Sequence, residues 1–224
     1  MDAEKTNFYA AADRAIRSMN RESLREFGQL KLTDWDQVNV IRTVRTVYRR
    51  LKRKAEQHYY EIAAEGYILG LILCGLAAKE AHARADREIT PEWVADAMSE
   101  PDLVTGYRFD TEADRKAERL IETLAAAGAA EDRAGNTGLG RNAVIDKALR
   151  DWSRMFGQIA IGVTDIAMMA AMADEGVEKA MWVTVGDERV CEECRSLHGR
   201  IFLLEEFPPK MHYNCRCRRV PVLD

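Results

Sequence analysis

Apolar residues recur at three-to-four spacing through most of the chain up to Gly176, the period of helices with one buried face. Phe8, Ala12, Ile16 and Met19 fall on one side of a short predicted helix within residues 1–32, a stretch otherwise mixed and polar enough to read as an N-terminal arm. Thr33, with Asp36 three residues on, resembles a capping box and predicts a helix start. From Trp35 to about Arg84 no proline intervenes. Ile41, Val44, Tyr48 and Leu51 mark the apolar stripe there, and Gly66, Gly70 and Gly75 are the places where the helix can bend or break. Thr90-Pro91 predicts a short helix to about Met98, because threonine caps and proline gives up no bond in the first turn. Asp110 or Thr111 can cap the next helix, which turns Leu120, Ile121 and Leu124 inward, runs to Ala127 and stops at Gly128. Residues Gly135 to Gly140 read as a linker. Asn142 then opens a long pattern through Val144, Ile145, Leu149, Trp152, Phe156 and Ile159 towards Gly176.

After Gly176 the grammar changes. Met181 to Val185 has the β-branched and aromatic content of a strand, Gly186-Asp187 makes a turn, and Arg200 to Leu203 and Val220 to Val222 read as further short strands. The predicted class is therefore mainly α: an arm over 1–32, an extended helical body over 33–176, and a small α+β module over 177–224.

Composition fits a soluble globular protein, with 47% apolar and 31% charged residues of both signs among 224. The net charge of −4 argues against a chain that is basic overall and binds nucleic acid through that excess. The apolar stretches Tyr67–Ala78 and Ile159–Ala173 are shorter than a bilayer crossing of roughly 30 Å demands, and Asp165 interrupts the second, so both are expected as buried helix faces. The start of the chain lacks a basic run followed by an apolar one, which predicts synthesis in the cytoplasm without a secretory signal.

That compartment matters, because four of the five cysteines lie beyond residue 190, where reduced thiols favour metal over disulfides. Cys191-Glu-Glu-Cys194 can grip one ion with two sulfurs, and a second pair about twenty residues on can complete a tetrahedron. His212 with Cys215, or Cys215 with Cys217, supplies that pair. Spacing leaves five candidates for four positions, and the preferred set is Cys191, Cys194, His212 and Cys215. Four protein ligands leave no position for water, so one structural zinc per chain is expected rather than a catalytic one. A segment with so few large apolar residues seldom folds on burial alone.

Trp182-x-Thr184, Asp187-x-Arg189-Val190-Cys191-x-x-Cys194, Leu197-His198-Gly199 and His212-x-x-Cys215-Arg216-Cys217 followed by Pro221 occur in this order. Together they resemble the C-terminal signature of the phage Mu F-like head morphogenesis proteins, a likeness carried by the last forty or so residues. The resemblance implies a minor head protein of a tailed phage or prophage, in few copies inside the capsid near the portal, made in the host cytoplasm and able to travel with the DNA. Some relatives carry a toxin domain after this module; seven residues follow Cys217, which predicts the short form.

Other features carry less. Arg42, Arg45, Arg49 and Lys52 line one side of the predicted helix, where packaged double-stranded DNA or an acidic portal surface could bind, although a solvated face is the commoner meaning of such a stripe. Lys210, Arg216, Arg218 and Arg219 form a second basic cluster, suited equally to nucleic acid or to solubility. His58 and His82 read as surface or packed histidines, Cys74 as a small buried hydrophobe, and Met168, Met169 and Met172 as core. No small-molecule substrate and no catalytic set is predicted. The alternative is a zinc-containing nuclease using His198 or Asn214, against which stands the absence of His-Glu-x-x-His, His-x-Glu and Gly-x-Ser-x-Gly motifs.

Overall fold

The computed structural model describes residues 7–33, 36–102, 104–134, 139–185 and 190–223. Six helices precede a three-stranded sheet among these residues. They are α1 (Ala10–Lys31), α2 (Gln37–Leu73), α3 (Ala78–Glu88), α4 (Pro91–Ser99), α5 (Phe109–Ala134) and α6 (Leu139–Asp174). The module that follows contains β1 (Lys179–Val183), α7 (Glu192–Leu197), β2 (Ile201–Leu203) and β3 (Arg218–Pro221). The chain is thus mainly helical, as its periodicity predicts.

The residues expected as an arm form α1, a helix of 22 residues that packs on both α2 and α6. Phe8, Ala12 and Met19 of the predicted stripe are buried, and the stripe continues through Phe27 and Leu30 into the common core. The segment therefore belongs to the helical body. Thr33 does not cap α2: its hydroxyl donates back to the Gln29 carbonyl at 2.8 Å and closes α1. Asp36 is the cap instead, accepting from the Val38 amide. Trp35 lies outside the described residues.

Of the three glycines where α2 could break, only Gly75 does so, at φ +100°, just past the helix end. Gly66 and Gly70 stay helical and let the α6 backbone approach. Thr90 caps α4 by accepting from the Trp93 amide at 3.2 Å, as its sequence predicts. Gly128 does not stop α5, because α5 continues to Ala134 and the missing side chain leaves room for Arg141, whose guanidinium would stand 2.9 Å from a Cβ there. The linker residues 135–138 lie outside the described residues.

An aromatic chain ties the body together. Phe27 of α1 meets Tyr48 of α2 edge-on at 5.7 Å, Tyr48 meets Trp152 of α6, and Tyr59 stacks on Phe156 at 5.0 Å while Phe109 of α5 touches both Tyr59 and Trp152. Offset and edge-to-face contacts of this kind add to the area they bury. Trp152, Tyr59 and Phe156 are shielded from solvent completely.

The apolar stretch in α6 belongs to a longer helix than its hydropathy suggests. By length and composition α6 could cross a bilayer, but 78% of its most apolar window is buried in the protein, the pattern of a core helix. It ends at Gly176, whose φ of +68° no β-branched residue would adopt readily. The sheet has the order β2-β1-β3 with both pairings antiparallel, and Met181 lies opposite Ile201 on one side and Val220 on the other. The Gly186-Asp187 turn and the Asp187 and Arg189 positions of the signature lie outside the described residues.

Candidate metal centre

Cys191 is the N-cap of α7, a short helix that sequence periodicity did not reveal. Its sulfur accepts from the Cys194 amide at 3.3 Å, so the two cysteines sit on one turn with both sulfurs on the same side. Cys194 is buried at the centre, and its sulfur lies 3.6 Å from that of Cys215. The edge of a zinc–sulfur tetrahedron is about 3.8 Å for bonds of 2.3 Å, so this separation already suits a shared ion.

The five candidate ligands fall into two groups of three that meet at Cys194. Cys191, Cys194 and His212 have donor atoms within 4.8 Å of one another, and so do Cys194, Cys215 and Cys217. Cys194 belongs to both groups. The five cysteines are free thiols. His212 Nδ1 lies 3.0 Å from the Tyr213 carbonyl, a contact that suits the neutral tautomer in which Nε2 is the ring nitrogen available to a metal.

The buried sulfurs divide their protons unequally. A hydrogen bond from Cys217, helped by the positive charge of Lys210, holds the Cys215 thiol well below the ordinary cysteine range, to about 5. Burial, reinforced by hydrogen bonding with Cys191 and Cys215, pushes Cys194 up to about 12. Cys217 is raised too, first by its hydrogen bond to Cys215 and then by burial. Crowded thiols of this kind resist losing a second proton in the absence of a cation, and a divalent ion relieves that repulsion directly. The donor set therefore fits a metal ion. It would be held on the first turn of α7 and on the loop before β3.

The loop carrying His212 to Cys215 is pinned to α6. Gln158, itself buried, accepts from the Asn214 amide at 2.7 Å and donates to Asp102 at 3.1 Å. Asp102 in turn accepts from the amides of Val104 and Thr105. Asn214 adopts φ +57°, a conformation asparagine tolerates better than most residues. In the sequence Asn214 reads only as a candidate of the alternative nuclease; its backbone conformation has no local signal there. His198 faces Thr184, whose backbone amide donates to Nδ1 at 3.2 Å, so this histidine joins the turn after α7 to the end of β1.

The second basic cluster is used inside the protein. Arg218 and Arg219 are buried, lying 4.5 Å from the centre of the Phe8 ring and 4.9 Å from that of Phe207. Lys210 pairs with Asp165 at 3.0 Å with both side chains buried, and Arg216 grips Asp13 with bonds of 2.6 and 3.0 Å. Neither reading given to this cluster, a nucleic-acid surface or a solubilising face, describes it. Asp165 was visible as an interruption in an apolar stretch, and Lys210 as one of the basic residues. Their pairing across 45 positions had no local signal.

On α2 the four-residue basic stripe is exposed or half-exposed, but two of its members have acidic neighbours on α5. Arg45 binds Glu118 through two bonds, and Lys52 pairs with Asp110 and Asp114 at 3.1 Å each. His58 is mostly buried between Glu22 and Glu61, and His82 bonds the carbonyl one turn back.

Residues 145–220 match the family model described as Phage Mu protein F like protein. The matched span begins inside α6 at Ile145, 37 residues before Trp182 where the motifs that carry the resemblance start, and so takes in Gln158 and Asp165 as well as the candidate ligands. An uncharacterized protein of Methanocaldococcus jannaschii is 46% identical over 50 residues, which are 21% of this chain and only 8% of that protein. No solved structure matches.

Proposed function

With residues 145–220 similar to Phage Mu F proteins, we propose that this protein is a minor head morphogenesis component of a tailed phage or prophage, located in the capsid interior beside the portal. The observation that carries this reading is the family match, supported by the cysteines and histidine of its motif order, which lie in two groups joined at Cys194. In this role the protein performs no reaction. The helical body offers the contact surface to portal or capsid, and the module fixes one face of it.

The metal is one structural zinc per chain on Cys191, Cys194, His212 and Cys215, with Cys217 as a neighbouring thiol. Three thiolates and an imidazole are a usual closed zinc set, and the closeness of His212 to both Cys191 and Cys194 supports its inclusion. When bound, the ion cross-links α7 to the loop before β3 and contributes folding free energy to a segment with a small core. Packaged double-stranded DNA is a further partner, through Arg42 and Arg49 of the α2 stripe and with the strong salt dependence of phosphate contacts.

Two measurements test the reading. Mass spectrometry of purified, DNA-filled particles should find the protein at a few copies per head, cross-linked to portal subunits; absence from particles would overturn it. Native mass spectrometry before and after a chelator should show one zinc per chain, and an apo chain with identical fold would remove the metal from the proposal.

A further inference from the structure

Three polar side chains from distant parts of the sequence meet behind the metal centre. Tyr9 stands just before α1, Asp165 is in the middle of α6, and Lys210 is in the loop leading to the ligands. The Lys210 ammonium reaches Asp165 Oδ2 at 3.0 Å, the Tyr9 hydroxyl at 2.6 Å and the Cys217 carbonyl. Two of its N–H groups are hydrogen-bonded, to the Tyr9 hydroxyl and the Cys217 carbonyl, and Asp165 Oδ2 faces it as an ion-pair partner. The Tyr9 hydroxyl is left to donate to Asp165 Oδ1 at 2.9 Å, and the Cys217 carbonyl lies 3.0 Å from it as well.

The same short segment holds the residues on either side. Asp13 takes the Arg216 guanidinium in a two-bond fork, and the Phe8 ring lies under Arg218. Residues 216, 217 and 218 are therefore each in contact with residues 8–13. They are the stretch of chain that leaves Cys215, whose upstream side is held independently by Gln158 on the Asn214 amide. Cys215 is bracketed, and one of the two brackets is the N-terminal segment.

We propose that Tyr9 and Asp13 are positioning residues of the metal centre: docking of residues 8–13 holds the Cys215–Cys217 segment where its sulfurs can share an ion, so metal retention and N-terminal docking form one linked equilibrium. This rests on the metal reading above. The physical basis is that outer partners that orient ligands govern affinity nearly as much as the ligands do. Linkage is reciprocal, so whatever stabilises the docked segment tightens the metal and the metal in turn secures the segment.

The test uses the full chain loaded with zinc. Loss of zinc to a chromophoric chelator is timed, and backbone amide exchange is followed over residues 8–16. Tyr9→Phe, which keeps the ring and removes the hydroxyl, and Asp13→Ala should each release zinc about 10-fold faster or more. Val47→Ala, a core change in α2, should leave the release rate as it is although it lowers the unfolding midpoint. The exchanged pair Asp13→Arg with Arg216→Asp should recover slow release. Stripping zinc from the unaltered chain should raise exchange at 8–16 ahead of the α2 core. Release rates equal to the unaltered chain, or exchange at 8–16 indifferent to zinc, would overturn the linkage while leaving the metal site standing. An unaltered chain that takes up no zinc would overturn both.

Discussion

A Cβ placed on Gly70 would stand 2.6 Å from the Cβ of Ala171 and 2.9 Å from the Met168 carbonyl oxygen, so α2 and α6 meet backbone to backbone at this glycine. Gly66, one turn earlier, faces the Thr164 carbonyl at 3.0 Å in the same way. Gly70→Ala sets a helix-propensity gain of about 1 kcal/mol against overpacking of about 1–3 kcal/mol. Because the obstructing atoms include backbone, the steric cost wins. A net loss of up to about 2 kcal/mol is expected in urea unfolding, and a variant more stable than the unaltered chain would contradict the close approach.

Removing the metal should separate the two parts of the protein. Chelation is expected to abolish the near-ultraviolet signal of Trp182, stacked on Phe207 at 5.7 Å, while the far-ultraviolet helical signal persists. A structural ion at this site would be worth on the order of 10 kcal/mol, more than a sheet of three short strands can supply. Cys194→Ser should be the most damaging single ligand change, since Cys194 belongs to both ligand groups. Equal metal retention in Cys194→Ser and Cys217→Ser would count against that ranking.

The Lys210–Asp165 pair predicts an asymmetry between single and double replacement. Lys210→Met leaves a buried carboxylate facing the Tyr9 hydroxyl alone, and about 3–5 kcal/mol of stability should be lost. Adding Asp165→Leu removes the stranded charge and should restore a substantial part. Denaturant midpoints of the single and double variants decide this; a double variant no better than Lys210→Met would show that the remaining polar partners, not the charge, dominate.

Acid sensitivity should have an identifiable source at Glu112. Burial alone would raise this carboxyl, but hydrogen bonds from Arg115 at 2.7 Å and the ammonium of Lys116 bring it below the ordinary glutamate range. A carboxylate whose folded pKa is depressed stabilises the protein above its unfolded pKa, and that contribution disappears as pH falls through the folded value. Thermal melts of Glu112→Gln should therefore converge with those of the unaltered chain at low pH and lie below them near neutrality. Parallel curves across the whole range would remove Glu112 as the source.

The sequence by itself determined the helical class, the cap at Thr90, the break after α2 and the candidate donors that the fold brings near Cys194. Each is local: a period of three to four, a hydroxyl one residue before a helix, a glycine at a helix end, a Cys-x-x-Cys turn. Tertiary structure decided what Gly66, Gly70 and Gly128 are for, since a glycine that ends a helix and one that admits a neighbouring backbone look alike until the neighbour is present. It also turned residues 10–31 from an expected arm into a core helix, because their apolar stripe finds its partners on α2 and, far along the chain, on α6. The basic residues around the ligands changed meaning for the same reason. Charge is written along the chain, but whether Arg216 meets solvent or Asp13, and Lys210 meets a phosphate or Asp165, depends on contacts between positions as much as 203 residues apart, which no local pattern encodes.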